Sequence, residues 1–391
     1  MQGFEFNTTK RILCEIGAIK LLAQQCQSLN IGRPVIITDA GIVACGLLAT
    51  LLNNLHNLFT DDAIAVFDKV EADPSEDIVQ NAVDFAKAHN ADGIIGFGGG
   101  SSMDTAKIVA ILSQQQNLTP QTLQNIYGVD QVAGTRLPLI LIPTTAGTGS
   151  EVTQIAIVTT GETTKAGIVS KQLLPDIALL DAELTTGLPA HVTAATGIDA
   201  MVHAIEAYTS KIKKNVYSDM LAKEALRLLS QNIETATFNG HDLNARQNML
   251  LGACLAGQAF ANAPVAAVHA LAYPLGGHFH IPHGLSNALV LPHVLKFNEE
   301  IAFKAYAELT PFVIKGVEQE QTPHALSQLF IEHLESLITR LKIPNKLHML
   351  GVKEKHLPKL AKDAMLQTRL LINNPKEMTY VDALAIYKRA F

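Results

Sequence analysis

Between Val268 and Gly284 the chain reads VHALAYPLGGHFHIPHG, with four histidines, His269, His278, His280 and His283, and no Asp, Glu, Lys or Arg. Upstream, TGIDAMVHAIEAY sets Asp199 and His203 four apart, a spacing that stacks two side chains one turn apart on one face of a helix. Such a pair can chelate a divalent cation. Taken alone, Asp199 reads first as a first-turn acid and His203 as a core histidine. The surroundings shift that balance, because a buried carboxylate is costly without a positive partner and no Asp, Glu, Lys or Arg occurs from Gln247 to Leu295. A metal would serve. His269 falls in a predicted helix, Pro274 to Gly277 is expected to break it, and His283 opens the next helix after Pro282. His278 and His280 are expected on the connector, alternating around Phe279. Spacing does not decide which histidines bind.

A second group of residues suits a phosphate-bearing ligand. GFGGGSSMDTAK puts Gly98, Gly99 and Gly100 between a hydrophobic strand and a helix starting near Ser101. Bare backbone there admits a diphosphate, and a helix start offers N–H groups and the positive end of its dipole. The pattern lacks the last glycine of the dinucleotide fingerprint and follows a late strand instead of the first. Asp39 ends the strand VIITD, where an acid would accept both hydroxyls of an adenosine ribose and repel a 2′-phosphate, favouring NAD over NADP; a turn-starting Asp fits equally. PTTAGTGSEVT, residues 143–153, adds hydroxyls and small residues at a third strand end.

These groups lie in halves of different grain. From Arg33 to about Asp181, short β-branched runs alternate with longer amphipathic segments: strands at 34–39 and 64–70, a helix after Ser75, then GIIGFGGGSS and PLILIPTTAGTGS as strands entering small-residue loops. That alternation predicts a parallel sheet covered on both faces, whose ligands bind beyond the carboxyl ends of the strands. After Leu188-Pro189 the texture becomes Ala- and Leu-rich at helical period. We therefore expect two domains, residues 1–188 as α/β and 189–391 as all-α.

Composition bounds the partners. The chain has 391 residues, 48% hydrophobic and 17% charged, with net charge −6, and no basic run that would draw it to nucleic acid or anionic lipid. The charged fraction lies below the usual value of about 25%, which points to surface buried in a homo-oligomer. The uncharged stretch is interrupted by Gln258, Asn262, Pro264, His269 and Pro274, so it falls short of the roughly 20 apolar residues a bilayer needs. The N-terminus lacks the features of a signal peptide, which gives a cytoplasmic expectation. Cys14, Cys26, Cys45 and Cys254 show no metal spacing and read as reduced thiols.

Four long motifs, GGGSSMDTAK, PTTAGTGSEVT, TGIDAMVHAIEAY and VHALAYPLGGHFHIPHGLSNALVLPHVLKFN, resemble the iron-containing, or group III, alcohol dehydrogenases nearly end to end and in the family's order. The resemblance implies a dehydroquinate synthase-like architecture, with a Rossmann-like NAD domain before a helical domain. It implies that Asp199, His203, His269 and His283 ligate the metal, leaving His278 and His280 as pocket candidates. It implies NAD contacts from Asp39, Gly99, Gly100, Ser101, Thr144, Thr145 and Lys165, to which the motifs themselves add Gly98 and Thr148. Thr153, Ile155 and Phe260 match positions lining the substrate pocket, which favours a small nonpolar alcohol or aldehyde. Several relatives carry a proton-relay histidine where this chain has Tyr273. Tyrosine, with a reference pKa of about 10, passes protons poorly near neutrality; Tyr273 and His278 stand as the proton-handling candidates.

One carboxylate and three imidazoles without thiolate suit Fe(II) or Zn(II). A metal there would act as a Lewis acid, lowering the alcohol's pKa so that hydride leaves carbon for the nicotinamide. Within the same superfamily the rivals are glycerol dehydrogenase-like enzymes, which bind zinc through fewer side chains, and maleylacetate reductase-like enzymes, whose acidic substrate would want Arg or Lys. The uncharged stretch argues against the second. A noncatalytic NAD- or metal-binding protein is the remaining alternative, and the intact ligand quartet beside an intact cofactor loop speaks against it.

Overall fold

The structure is a computed structural model that describes residues 3–114, 121–161, 164–317 and 321–391. It divides into two compact units, one spanning Asn7–Gly187 and one spanning Leu188–Phe391 together with residues 3–6. The sequence assigns residues 3–6 to the first domain; they pack with the helical unit instead, the rings of Phe4 and Phe6 lying against Tyr217.

The first unit contains strands β1 (Arg11–Cys14), β2 (Pro34–Asp39), β3 (Ala65–Val70), β4 (Gly93–Gly98), β5 (Gly128–Val129), β6 (Leu139–Pro143), β7 (Ile155–Thr160), β8 (Thr164–Val169) and β9 (Ile177–Leu180). Six form one parallel sheet in the order β1-β9-β6-β4-β2-β3. Its central strands are unbroken apolar runs because both faces are covered. Val35, Ile37, Ile94, Leu139 and Leu141 pack on one face, under the helices Glu76–Ala88 and Gly100–Leu112. Ile36, Ile95, Phe97, Ile140 and Ile142 pack on the other, under Leu22–Ser28 and Leu47–Leu55. Ser75 caps the Glu76 helix by accepting from the Ile78 N–H.

Register fixes what emerges at the top of the sheet. Gly96 of β4 lies opposite Ile37 of β2, and Gly98 lies opposite Pro143 of β6. Asp39, the glycine turn and the threonine loop therefore leave three neighbouring strand ends. The chain goes from β3 back across β2 to β4, so this is also where the strand order reverses, the usual ligand crevice of such sheets.

A small second sheet, β5-β8-β7, with β7 and β8 antiparallel, is not read from the sequence, where the β-branched runs at 155–160 and 164–169 blend into the alternation around them. Two charged side chains tie it to the glycine-loop helix. Fully buried Lys107 donates to Ser150 Oγ (2.8 Å), Thr153 Oγ1 (3.0 Å), the Ile155 carbonyl (2.7 Å) and Asp104 Oδ1 (3.2 Å). Asp104 Oδ2 accepts from the Ile157 N–H at 3.0 Å. Burial pulls the Lys107 ammonium below the usual lysine range, with Asp104 opposing.

Among the described residues, the second unit's regular elements are all helices. The helices Ala190–Thr209, Val216–Phe238 and Leu243–Asn262 pack on one another, and the long helix His283–Val313 lies across the first of them. Among the described residues no single helix is long and apolar enough to cross a membrane; Leu243–Asn262 and Ala267–Phe279 meet at a bend of 105°.

The expected break at Pro274 does not occur. The helix runs from Ala267 to Phe279 through the proline, and His280 closes it in the left-handed conformation at φ 53°. Proline removes one N–H and opens the preceding turn, and there the Tyr387 hydroxyl donates to the Leu271 carbonyl at 2.6 Å. His278 accordingly sits on the last helical turn and His280 caps it, so neither belongs to an extended connector.

Replacing Lys107 by methionine strands Asp104 and Ser150 without their buried cation. Unfolding free energy is expected to drop by about 3 kcal/mol, read from a chemical denaturation midpoint; a midpoint equal to that of the unmodified protein would show the clamp to be dispensable.

Candidate metal centre and nucleotide loop

Three helices deliver the imidazoles and the carboxylate. Asp199 and His203 lie one turn apart on Ala190–Thr209, His269 is the third residue of Ala267–Phe279, and His283 opens His283–Val313. The approach of the last helix depends on the residue beside the histidine: a β-carbon at Gly284 would lie 2.4 Å from the Ala195 carbonyl oxygen. Only glycine lets His283 come so close to Asp199.

Each of the four residues offers one ligand atom, and these atoms all lie within 4.8 Å of one another. Asp199 Oδ1 is 3.6 Å from His283 Nε2 and 3.9 Å from His269 Nε2. Two ligands of a tetrahedral ion bound at about 2.1 Å stand ~3.4 Å apart, so the spacing fits a single cation. Asp199, His203 and His269 are buried and His283 is half-buried. The His203 ring stacks between Phe260 (4.3 Å) and His269 (4.8 Å), and the Tyr273 ring lies 5.9 Å from His283.

Burial works to raise the Asp199 carboxyl, but His283, His203 and His269, together with the Asn287 amide, outweigh it and hold the group below the usual range. Donor chemistry completes the fit: hard-to-borderline oxygen and nitrogen ligands without thiolate suit Fe(II) or Zn(II).

Two contributors escape a reading of the sequence. Glu206 is buried, and its carboxylate accepts from the Val268 N–H at 2.7 Å and from His269 Nδ1 at 2.6 Å. That bond puts the His269 proton on Nδ1 and leaves the Nε2 lone pair directed at the other ligands. Asn287, one turn beyond His283, places its amide nitrogen 2.5 Å from Asp199 Oδ1. Glu206 stands in the same motif as Asp199 and His203, an acid in an otherwise apolar run, and that was its one signal; Asn287 had only its four-residue spacing from His283.

The remaining expected site residues take distinct places. His278 Nε2 pairs with Asp363 at 2.6 Å, and His280 is exposed. In the other unit, Gly99 caps the Gly100–Leu112 helix without a side-chain bond, and no acid occupies the first turn. Its first N–H groups are those available to an anion. Gly98 adopts φ 146°, where a β-carbon would meet Ser102 and Asp39 at 2.8–3.0 Å. Asp39 accepts from the Ile42 N–H and from Ser102 Oγ, which leaves acceptor capacity on both carboxylate oxygens. The Thr144 N–H donates to the Gly98 carbonyl, and Thr148 Oγ1 accepts from the Ser150 N–H; Thr145 Oγ1 lies 3.9 Å from where a Gly99 β-carbon would stand. Ser101 Oγ accepts from the Asp73 N–H, and Lys165 pairs with the Asp73 carboxylate at 2.5 Å. Thr153 and the Ile155 carbonyl are both held by Lys107.

Comparison with known proteins matches residues 9–182 to the family described as iron-containing alcohol dehydrogenase, and residues 193–391 to the C-terminal part of the Fe-containing alcohol dehydrogenase family. The chain is 40% identical over 375 residues to a long-chain-alcohol dehydrogenase 1 of Geobacillus thermodenitrificans (strain NG80-2), covering 96% of this chain and 93% of that protein. It is 35% identical over 394 residues to a sulfoacetaldehyde reductase of Bilophila wadsworthia (strain 3_1_6), covering 100% and 99%. Among solved structures, a 1,3-propanediol oxidoreductase superposes with a TM-score of 0.93 at 32% identity, each chain covered completely.

A Glu206→Gln variant keeps the shape but accepts only one of the two hydrogen bonds. Metal affinity is expected to fall 10–100-fold in a chelator competition, with NAD affinity unchanged; equal metal affinity would show that His269 keeps its orientation without the carboxylate.

Proposed function

The chain belongs to the iron-containing alcohol dehydrogenase family, and from that premise we propose that it transfers hydride between NAD(H) and a small, nonpolar alcohol or aldehyde. The observation that carries this reading is the convergence of Asp199, His203, His269 and His283 within 4.8 Å. Those four residues would hold Fe(II) or Zn(II). When bound, the cation supplies Lewis acidity toward the alcohol or carbonyl oxygen, and the nicotinamide takes or returns the hydride.

The chain's own residues do the rest. Glu206 keeps the proton of His269 on Nδ1. Phe260 against His203 and Tyr273 against His283 line the metal group with ring surface, which supports an apolar substrate. Tyr273 stays the candidate for handling the alcohol proton, while Asp363 already occupies His278 Nε2. Toward the cofactor, Gly98, Gly99, Gly100 and Ser101 would hold the diphosphate, Thr144, Thr145 and Thr148 would contact the NAD, and Asp39 would accept from the ribose hydroxyls. Lys165, Thr153 and Ile155 belong to the same reading as cofactor and pocket contacts. A cytoplasmic homo-oligomer belongs to the same reading, the assembly supported by the low charged fraction of 17%.

The test is NADH formation with short alcohols and diols, a long-chain primary alcohol and a sulfonated alcohol, on chelator-stripped protein reloaded with Fe(II) or Zn(II). Activity is expected only after reloading and to be highest with uncharged alcohols; equal rates without metal would refute the mechanism. Asp39→Gly is expected to reduce the preference for NAD over NADP at least 10-fold, about 1.4 kcal/mol, measured as the ratio of kcat/KM values. His269→Ala should lose metal and turnover while NAD binding survives, and the reverse pattern would overturn the assignment of roles.

A further inference from the structure

Asn287 is fully buried, and every polar contact of its amide nitrogen is to a residue of the metal group: Asp199 Oδ1 at 2.5 Å, His269 Nε2 at 3.3 Å and His283 Nε2 at 3.3 Å. Its carbonyl oxygen is buried with no partner among the described residues. A buried amide that leaves one end unsatisfied is costly, so the nitrogen end is what holds it. The opposite orientation would set a carbonyl lone pair against the Asp199 carboxylate, acceptor on acceptor, which decides the assignment. The amide has two hydrogens for three acceptors, and the shortest contact is to the carboxylate.

We infer that Asn287 is a positioning residue of the metal centre, which fixes Asp199 by donating to Oδ1 so that this oxygen faces His269 and His283 with a lone pair left for the cation. This rests on the metal reading above and extends it to a residue that touches none of the reactants. The amide does what a charged or apolar side chain cannot. An Asp at 287 would bring a third carboxylate to a centre where Asp199 and Glu206 already match the two charges of a divalent ion, and a Leu would leave Asp199 free to rotate. Ligating carboxylates held by such outer hydrogen bonds bind their metal more tightly.

The experiment loads the full-length protein with one equivalent of Co(II) and follows its visible absorption after addition of excess chelator. Asn287→Leu and Asn287→Ala are expected to release Co(II) 10–100-fold faster, with shifted absorption bands that report a changed ligand arrangement. NAD affinity and the far-ultraviolet circular dichroism should stay those of the unmodified protein, a split that a general packing defect would not produce. If Asn287→Leu fails to fold, Asn287→Ala decides. Release rates and spectra identical to the unmodified protein would overturn this inference alone. Failure of the unmodified protein to hold Co(II) would overturn the metal reading and this inference with it.

Discussion

Burying one carboxylate, Asp199, without a lysine or arginine beside it is the constraint on which the helical unit is built. Desolvating such an ion costs several kcal/mol after relaxation, and the residues around it act to offset that cost. The Asn287 amide donates to it, and the three imidazoles stand around it within ligand distance of one ion. Their positions in turn dictate the backbone: Gly284 must lack a side chain for His283 to arrive, and the Ala267 helix must start where Glu206 can reach both Val268 and His269. A cation of charge two held there would balance Asp199 and Glu206.

The nucleotide unit obeys a different constraint, that of register. Parallel pairing aligns the ends of β2, β4 and β6, so a carboxylate, a glycine turn and a threonine loop emerge together without any of them being close in sequence. Lys107 and Asp104 then fasten the second sheet to the glycine-loop helix through buried bonds. The first unit leaves the start of the Gly100–Leu112 helix without a side-chain cap at these strand ends, and the second gathers four possible ligand atoms within 4.8 Å of one another.

The change of grain near residue 188 is legible because strand and helix periods differ, and the α/β and all-helical parts follow from it. Asp199 and His203 are legible as a pair because four residues make one turn. The choice among the four later histidines is not, since it depends on a helix that continues through Pro274 and on His280 turning into the left-handed region; only the family resemblance separates them. The antiparallel pair Ile155–Thr160 and Thr164–Val169 is hidden because its β-branched composition matches its neighbours. Glu206 meets its partners 62 and 63 residues away, and Asn287 meets Asp199 88 residues away; their places beside Asp199, His203 and His283 in sequence do not reveal which of these contacts form.

One divalent cation on Asp199, His203, His269 and His283 is what every role assigned to the helical unit requires. Anomalous diffraction from crystals of the protein loaded with Fe(II) or Zn(II) tests it most directly. A single strong peak is expected within about 2.0–2.3 Å of one oxygen of Asp199 and one nitrogen of each histidine. A peak held by other residues, or full loading with no peak at these four, would contradict it.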